Sequence, residues 1–107
     1  MLQNEHTTFG LSPRDHKAIT DILVKYTDVA EVHIFGSRAN GNYKPFSDID
    51  LAVMNEGVSD HTIMQIRVEF EDSSLPYKVD LINYPSLTHS ELKEHIARVG
   101  KPFYKWG

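Results

Sequence analysis

Asp48 and Asp50 stand one residue apart in FSDIDLAV, and a third acid, Asp80, lies in KVDLIN. Side chains at i and i+2 of a strand point the same way, so an extended 48–54 puts the first two carboxylates on one face with Ile49 and Leu51 packed beneath. Asp80 is flanked by Val79 and Leu81 in the same manner. If the two strands are neighbours, three carboxylates converge on one patch. Like charges that close raise one another's pKa and disfavour ionisation unless a cation compensates. A set of oxygen ligands, with neither cysteine nor a histidine pair, selects a hard ion, Mg²⁺ or Mn²⁺, over zinc. Two such ions about 4 Å apart would activate a hydroxyl and stabilise a leaving pyrophosphate.

Gly36-Ser37 supplies the other half. A glycine at a strand end lets the backbone approach a ligand, the amides of the following turn can hold a phosphate, and Ser37 adds a hydroxyl donor. Arg38 and Lys44 are the nearby cations that could reach a triphosphate tail, Arg38 the better placed of the two. Each piece alone has an ordinary reading. Gly-Ser after a strand is usually a turn, and acids at strand starts often sit in water or cap one. In this order, each at a strand boundary, they are far more specific. Gly36 to Gly41 has the glycine spacing of a P-loop, but Asn42-Tyr43 replaces the required Lys and Ser/Thr. DIDLAVMNEGV lacks the register of an EF-hand. The six histidines (6, 16, 33, 61, 89 and 95) show no i, i+4 pair, which argues against a histidine metal site.

The elements that must position these residues follow from capping and periodicity. Residues 1–11 read as a loose arm. Ser12-Pro13-Arg14-Asp15 is a helix start, and Ile19, Ile22, Leu23 and Tyr26 give residues 13–27 a buried face. Val32 to Phe35 is a short strand ended by Gly36, and 37–47 a helical turn followed by a loop. Residues 48–54 alternate as a strand. A second helix opens after Gly57 with Ser59 or Asp60 as cap and Ile63, Ile66 and Phe70 facing the core. Tyr77 to Tyr84 is a third strand, and Ser90 to Val99 a third helix with Leu92, Ile96 and Val99 as its stripe and Gly100 at its end. In the tail, Phe103 and Tyr104 pack against the domain. The order helix, strand, strand, helix, strand, helix predicts one small α/β (α+β) domain over 1–107, a mixed three- to four-stranded sheet with helices on it.

A chain of 107 residues is one domain with room for a single core. Its composition, 40% hydrophobic and 24% charged, is that of an ordinary globular protein, and a net charge of −4 offers no basic face to a nucleic acid. The absence of cysteine removes any disulfide scaffold or thiolate site. No signal peptide or apolar run of spanning length is present, and the expected setting is the cytoplasm.

GSRANGNYKPFSDIDLAV followed by KVDLIN resembles the signature of the DNA polymerase β-type nucleotidyltransferase superfamily, and more narrowly of the minimal nucleotidyltransferases, or MNT proteins: Gly-Ser, a spacer of about ten residues, Asp-x-Asp, then a third Asp on a later strand. Ser47 before Asp48 and Leu-Ala-Val after Asp50 also match; Asn40 stands where relatives often carry Arg or Lys. The resemblance implies the nucleotidyltransferase fold. It implies that Asp48 and Asp50 bind the metals, that Asp80 completes the site and helps activate the attacking hydroxyl, and that Gly36 and Ser37, with Arg38, Lys44 and Ser47 around them, hold the phosphates of an NTP, ATP above others. It also implies a partner, since MNT proteins are typically antitoxins of all-helical HEPN toxins, which they neutralise by binding and in some cases by AMP transfer to a toxin tyrosine. Larger relatives carry an acceptor-binding domain, so the acceptor is expected on another polypeptide. The alternatives are an antitoxin that works by binding alone, and nucleotidyl transfer to a small-molecule hydroxyl.

Overall fold

A computed structural model describes residues 9–106. The first eight positions of the expected arm, His6 among them, lie outside that range. Its described end is not loose, because Leu11 is fully buried in the main core.

The first helix, α1 (Pro13–Leu23), starts where capping dictates: Ser12 Oγ accepts from the Asp15 amide at 3.1 Å, and proline occupies the first turn. It stops short of the expected residue 27. The amide of the capping residue Val24 reaches the carbonyls of Thr20 and Ile22, and Tyr26 leaves the helical stripe to donate its hydroxyl to Glu69. Strand β1 (Glu31–Phe35) runs into Gly36 and the single-turn helix α2 (Ser37–Asn40). After a loop, β2 (Ile49–Val53) leads into α3 (Asp60–Asp72), capped by Ser59 through the Thr62 amide at 3.1 Å. Strand β3 (Val79–Asn83) is shorter than the Tyr77–Tyr84 expected, because Pro85 fixes a 3₁₀ turn over Tyr84–Ser86. Helix α4 (Ser90–Val99) has the expected bounds, with the His89 ring accepting from the Leu92 amide as its cap.

The aromatic tail is a strand, β4 (Lys101–Lys105), lying antiparallel to β1 with a bulge at Val32/His33. The edge segment allowed by the sequence is thus the fourth strand, and the sheet order is β3-β2-β1-β4. β1 and β2 are antiparallel; β2 and β3 are parallel, joined by the α3 crossover. One face of the sheet buries Ile34, Ile49, Leu51, Val53, Val79 and Leu81 among residues of α1 and α3, including Ile19, Leu23, Ile63, Ile66 and Phe70. The other carries a smaller cluster of Phe35, Ala52 and Ile96 beneath α4, and the aspartates emerge on this less covered side.

Candidate active site

Strand pairing assembles the acids. Asp50 is the antiparallel partner of Phe35 and the parallel partner of Asp80, so it sits between the end of β1 and the start of β3. Asp48, exposed, lies two residues earlier on the same side. The expected convergence is visible in the electrostatics. Burial pushes the Asp50 carboxyl above its ordinary value, and the charges of Asp80 and Asp48 push it further; His95 and Lys78 pull the other way.

Gly36 lies on the other flank of Asp50. Its φ of 75° is a left-handed conformation that disfavours any side chain, and a Cβ there would stand 2.5 Å from Asp50 Oδ2. Glycine is therefore what allows the carboxylate and the turn to occupy adjacent space. The Gly36 carbonyl accepts from the Ala39 and Asn40 amides at 3.2 Å, which winds Ser37–Asn40 into its turn, and Gly41 closes it in the left-handed region. The leading amides of such a turn have no acceptor within it and face outward.

Arg38 is not placed as the sequence suggested. It is 2% exposed. Its Nε and Nη2 fork onto the Ser47 carbonyl at 3.2 and 2.9 Å, and Nη1 reaches the Phe9 carbonyl at 2.9 Å. The guanidinium carbon lies 5.2 Å from the Tyr43 ring centre and 4.8 Å from that of Tyr77. The physical reason is that α2 turns the side chain back under its own loop, where the Ser47 carbonyl and Tyr43 meet the Phe9 carbonyl and Tyr77 from distant segments and replace water. Arg38 thus positions the residue immediately before Asp48 and is committed away from the phosphates. Tyr77 in turn donates to Asp15 Oδ2 at 3.1 Å; burial, followed by that bond, raises its phenol above the ordinary value.

Ser47 also serves the loop, its Oγ accepting from the Lys44 amide at 2.7 Å. The Lys44 side chain is exposed and remains a cation on the approach to the site.

Two residues that sequence reasoning missed belong to the neighbourhood. Arg67 of α3 reaches around β3, donating from Nε to the Leu81 carbonyl at 2.8 Å and placing Nη2 3.7 Å from Asp80 Oδ1. His95 of α4 packs edge-on to Phe35 and contributes positive potential at Asp50. Both arrive by tertiary packing from distant helices, and no spacing pattern marks them.

The set fits a hard divalent cation: oxygen donors only, one of them held in a repulsive field that a cation would relieve, and a glycine that keeps its oxygen clear. The donors are neighbours without being closed. Among the described residues, no three acid or histidine side chains are close enough to grip an ion as they are placed.

Residues 17–106 match the family described as Polymerase beta, Nucleotidyltransferase. The chain is 36% identical over 82 residues to the "Probable protein adenylyltransferase MntA" of Haemophilus influenzae, which covers 76% of this chain and 71% of that protein. It superposes on a chain of a toxin–antitoxin crystallised with AMP-PNP, with a TM-score of 0.69, 21% identity and coverage of 86% of this chain and 74% of that one. A chain of the complex between the tri-AMPylated Shewanella oneidensis HEPN toxin and its MNT antitoxin gives 0.63, 19%, 85% and 70%. At those identities the superpositions speak for the fold.

Proposed function

The chain belongs to the polymerase β nucleotidyltransferase family, and from that premise we propose that it transfers AMP from ATP to a tyrosine hydroxyl of a HEPN-type toxin and acts as that toxin's antitoxin. The observation that carries the reading is the register of the parallel pair, which sets Asp50 directly beside Asp80 with Asp48 at the strand entrance and Gly36 packed against Asp50 on the far flank. The relative named MntA, a protein adenylyltransferase by its name, and the fold shared with an MNT antitoxin supply the acceptor class and the partner. The cytoplasm, where ATP is available, is the setting this requires. No helix among the described residues is long and apolar enough to cross a membrane.

In this reading Asp48, Asp50 and Asp80 hold Mg²⁺, with Mn²⁺ as an alternative. Bound there, the ion would lower the cost of bringing phosphate oxygens to three carboxylates and offset the charge of the leaving pyrophosphate. The chain's own contribution is positional. The Gly36-Ser37 turn offers amides and a hydroxyl to the phosphates, and exposed Lys44 is a further cation for them. Arg38, through the Ser47 carbonyl, fixes where Asp48 begins. Asp80 accepts the proton of the acceptor hydroxyl as its oxygen bonds to the α-phosphorus and the bond to the β-phosphate bridge breaks.

Incubation with radiolabelled ATP, Mg²⁺ and the partner is expected to label the partner, and Asp48→Asn or Asp50→Asn to abolish the label. Labelling that survives both substitutions would sink the reading. A second reading, neutralisation by binding alone, draws support from the open donor set and from the Arg67–Asp80 pair, which leaves the third acid already accompanied by a cation. Toxin neutralisation that persists after loss of Asp48 and Asp50 would favour it. Transfer to a small-molecule hydroxyl is the remaining alternative, and a substrate screen on the isolated chain tests it.

A further inference from the structure

Phe46 is 77% exposed, the most exposed of the large hydrophobic side chains among the described residues, and it stands two residues before Asp48. We propose that its ring is the platform on which the base of the nucleotide stacks, selecting purines over pyrimidines by ring area without telling adenine from guanine. The inference rests on the transferase reading above and adds to it the seat of the base.

Three observations lead there. The first is that a built turn holds the ring out. Lys44-Pro45-Phe46-Ser47 is closed by the Ser47 amide donating to the Lys44 carbonyl at 3.0 Å and by the Lys44 amide donating to Ser47 Oγ at 2.7 Å. Pro45 presets the second position of the turn. Arg38 Nη2 ties the turn to the fold, donating to the Ser47 carbonyl at 2.9 Å and to the Pro45 carbonyl at 3.5 Å. The backbone that carries Phe46 is therefore anchored by the same buried arginine that places Asp48, and stacking on the ring requires little ordering of the chain.

The second is position. Two residues of chain span at most about 7 Å, so the ring lies within a nucleoside's reach of an α-phosphate held at Asp48 and Asp50. The loop begins with the Gly36-Ser37 turn and ends with Phe46. A nucleotide laid along it has its phosphate tail at one end and its base at the other.

The third is that the neighbouring rings are already engaged. Phe35, the pairing partner of Asp50, is buried and meets His95. Tyr43 and Tyr77 both face the Arg38 guanidinium. Trp106 is 48% exposed, but its amide bonds the Ala30 carbonyl before the start of β1, roughly 20 Å of strand from Gly36 at the other end.

Stacking uses the π-face that every base possesses, so it responds to ring area and not to the hydrogen-bonding edge; it contributes about tenfold or more in affinity. Most backbone groups of the turn are paired within it or with Arg38, which leaves few to read that edge.

The test is calorimetry on the full chain with Mg²⁺ and the α,β-methylene analogues of ATP, GTP and CTP, with inorganic triphosphate as the probe that has no base. The wild type is expected to bind the ATP and GTP analogues within about threefold of each other and the CTP analogue about fivefold more weakly. Phe46→Ala should weaken the ATP analogue about tenfold, bring it level with the CTP analogue and leave triphosphate affinity unchanged. Phe46→Trp should bind at least as tightly as the wild type, and Trp106→Ala should match it. An ATP-analogue affinity unchanged in Phe46→Ala, or a fall in triphosphate affinity as large as that for the analogue, overturns the proposal, as does equal binding of the ATP and CTP analogues by the wild type. A wild type that binds the analogues through Phe46 and labels no partner overturns the transferase reading and leaves the base platform standing. Partner labelling with an unchanged KM for ATP in Phe46→Ala does the reverse.

Discussion

The two flanks of Asp50 are built in opposite ways, and an arginine marks each. On the β1 side, Arg38 is buried, with its donors on backbone carbonyls and its plane against two tyrosines. On the β3 side, Arg67 has a side chain 41% exposed, is anchored by one bond to the Leu81 carbonyl, and stands 3.7 Å from an acid that is itself 49% exposed. The first flank is tied into the fold by several bonds to buried carbonyls, and the second is half exposed with one anchoring bond. A nucleotide tail is the same in every reaction cycle and suits a preset cradle, whereas a protein acceptor must enter and leave. In the proposed transferase reading, the buried flank takes the nucleotide and the exposed flank faces the acceptor.

The sharpest way to break this contrast is at its centre. Asp50→Asn is expected to lower AMP transfer by about 10³-fold or more, measured as label incorporated per minute. Arg38→Ala should cost about 3–5 kcal/mol in urea denaturation, because the Ser47 and Phe9 carbonyls lose their donor and a buried cavity remains. If that variant loses less than 1 kcal/mol, the β1 flank is not the rigid one. Gly36→Ala is expected to lose about 1–3 kcal/mol through backbone strain and the clash with Asp50 Oδ2, readable in the thermal midpoint. Arg67→Gln, by contrast, should change stability by under about 1 kcal/mol, since its ion pair is solvent-screened, while raising the KM for the acceptor.

The smallest effect is one of pH. Because the folded Asp50 carboxyl titrates above its ordinary value of 3.8, the native state binds this proton more tightly than the unfolded chain does. Stability from this group is present below the unfolded value and is lost as pH rises through the raised folded value. Asp50→Asn, inactive at pH 7, should therefore melt slightly above the wild type there, and the difference should vanish below about pH 4. A wild type that melts higher at pH 7 would mean that burial and the neighbouring acids do not disfavour the Asp50 charge as placed.

What the sequence made legible was local. Ser12 and Ser59 announce their helices because a hydroxyl can cap a turn only a few residues away, and the bounds of α4 follow from a clean apolar stripe ended by Gly100. The aspartate face was legible because strand periodicity fixes which way Asp48 and Asp50 point. Arg38 misled because its neighbours in sequence, Gly36 and Ser37, read as a turn that could hold phosphate, while its partners in space, Phe9 and Tyr77, lie far off along the chain. Arg67 and His95 carried no signal for the same reason. The strand in Lys101–Lys105 is formed by pairing with β1, a long-range event that a five-residue stretch with Pro102 does not advertise.

The parallel register that unites Asp50 with Asp80 has a consequence in time. Antiparallel β1 and β2 can find each other across the short α2 loop, but β3 joins only after the whole α3 crossover has closed. Parallel pairing of this kind is among the slower steps of folding. A chain still emerging from the ribosome, with β3 unmade, has the Gly-Ser turn and two acids and lacks the third. In the proposed reading, the chemistry therefore needs the completed fold, and a nascent chain has no full set of acids until β3 docks.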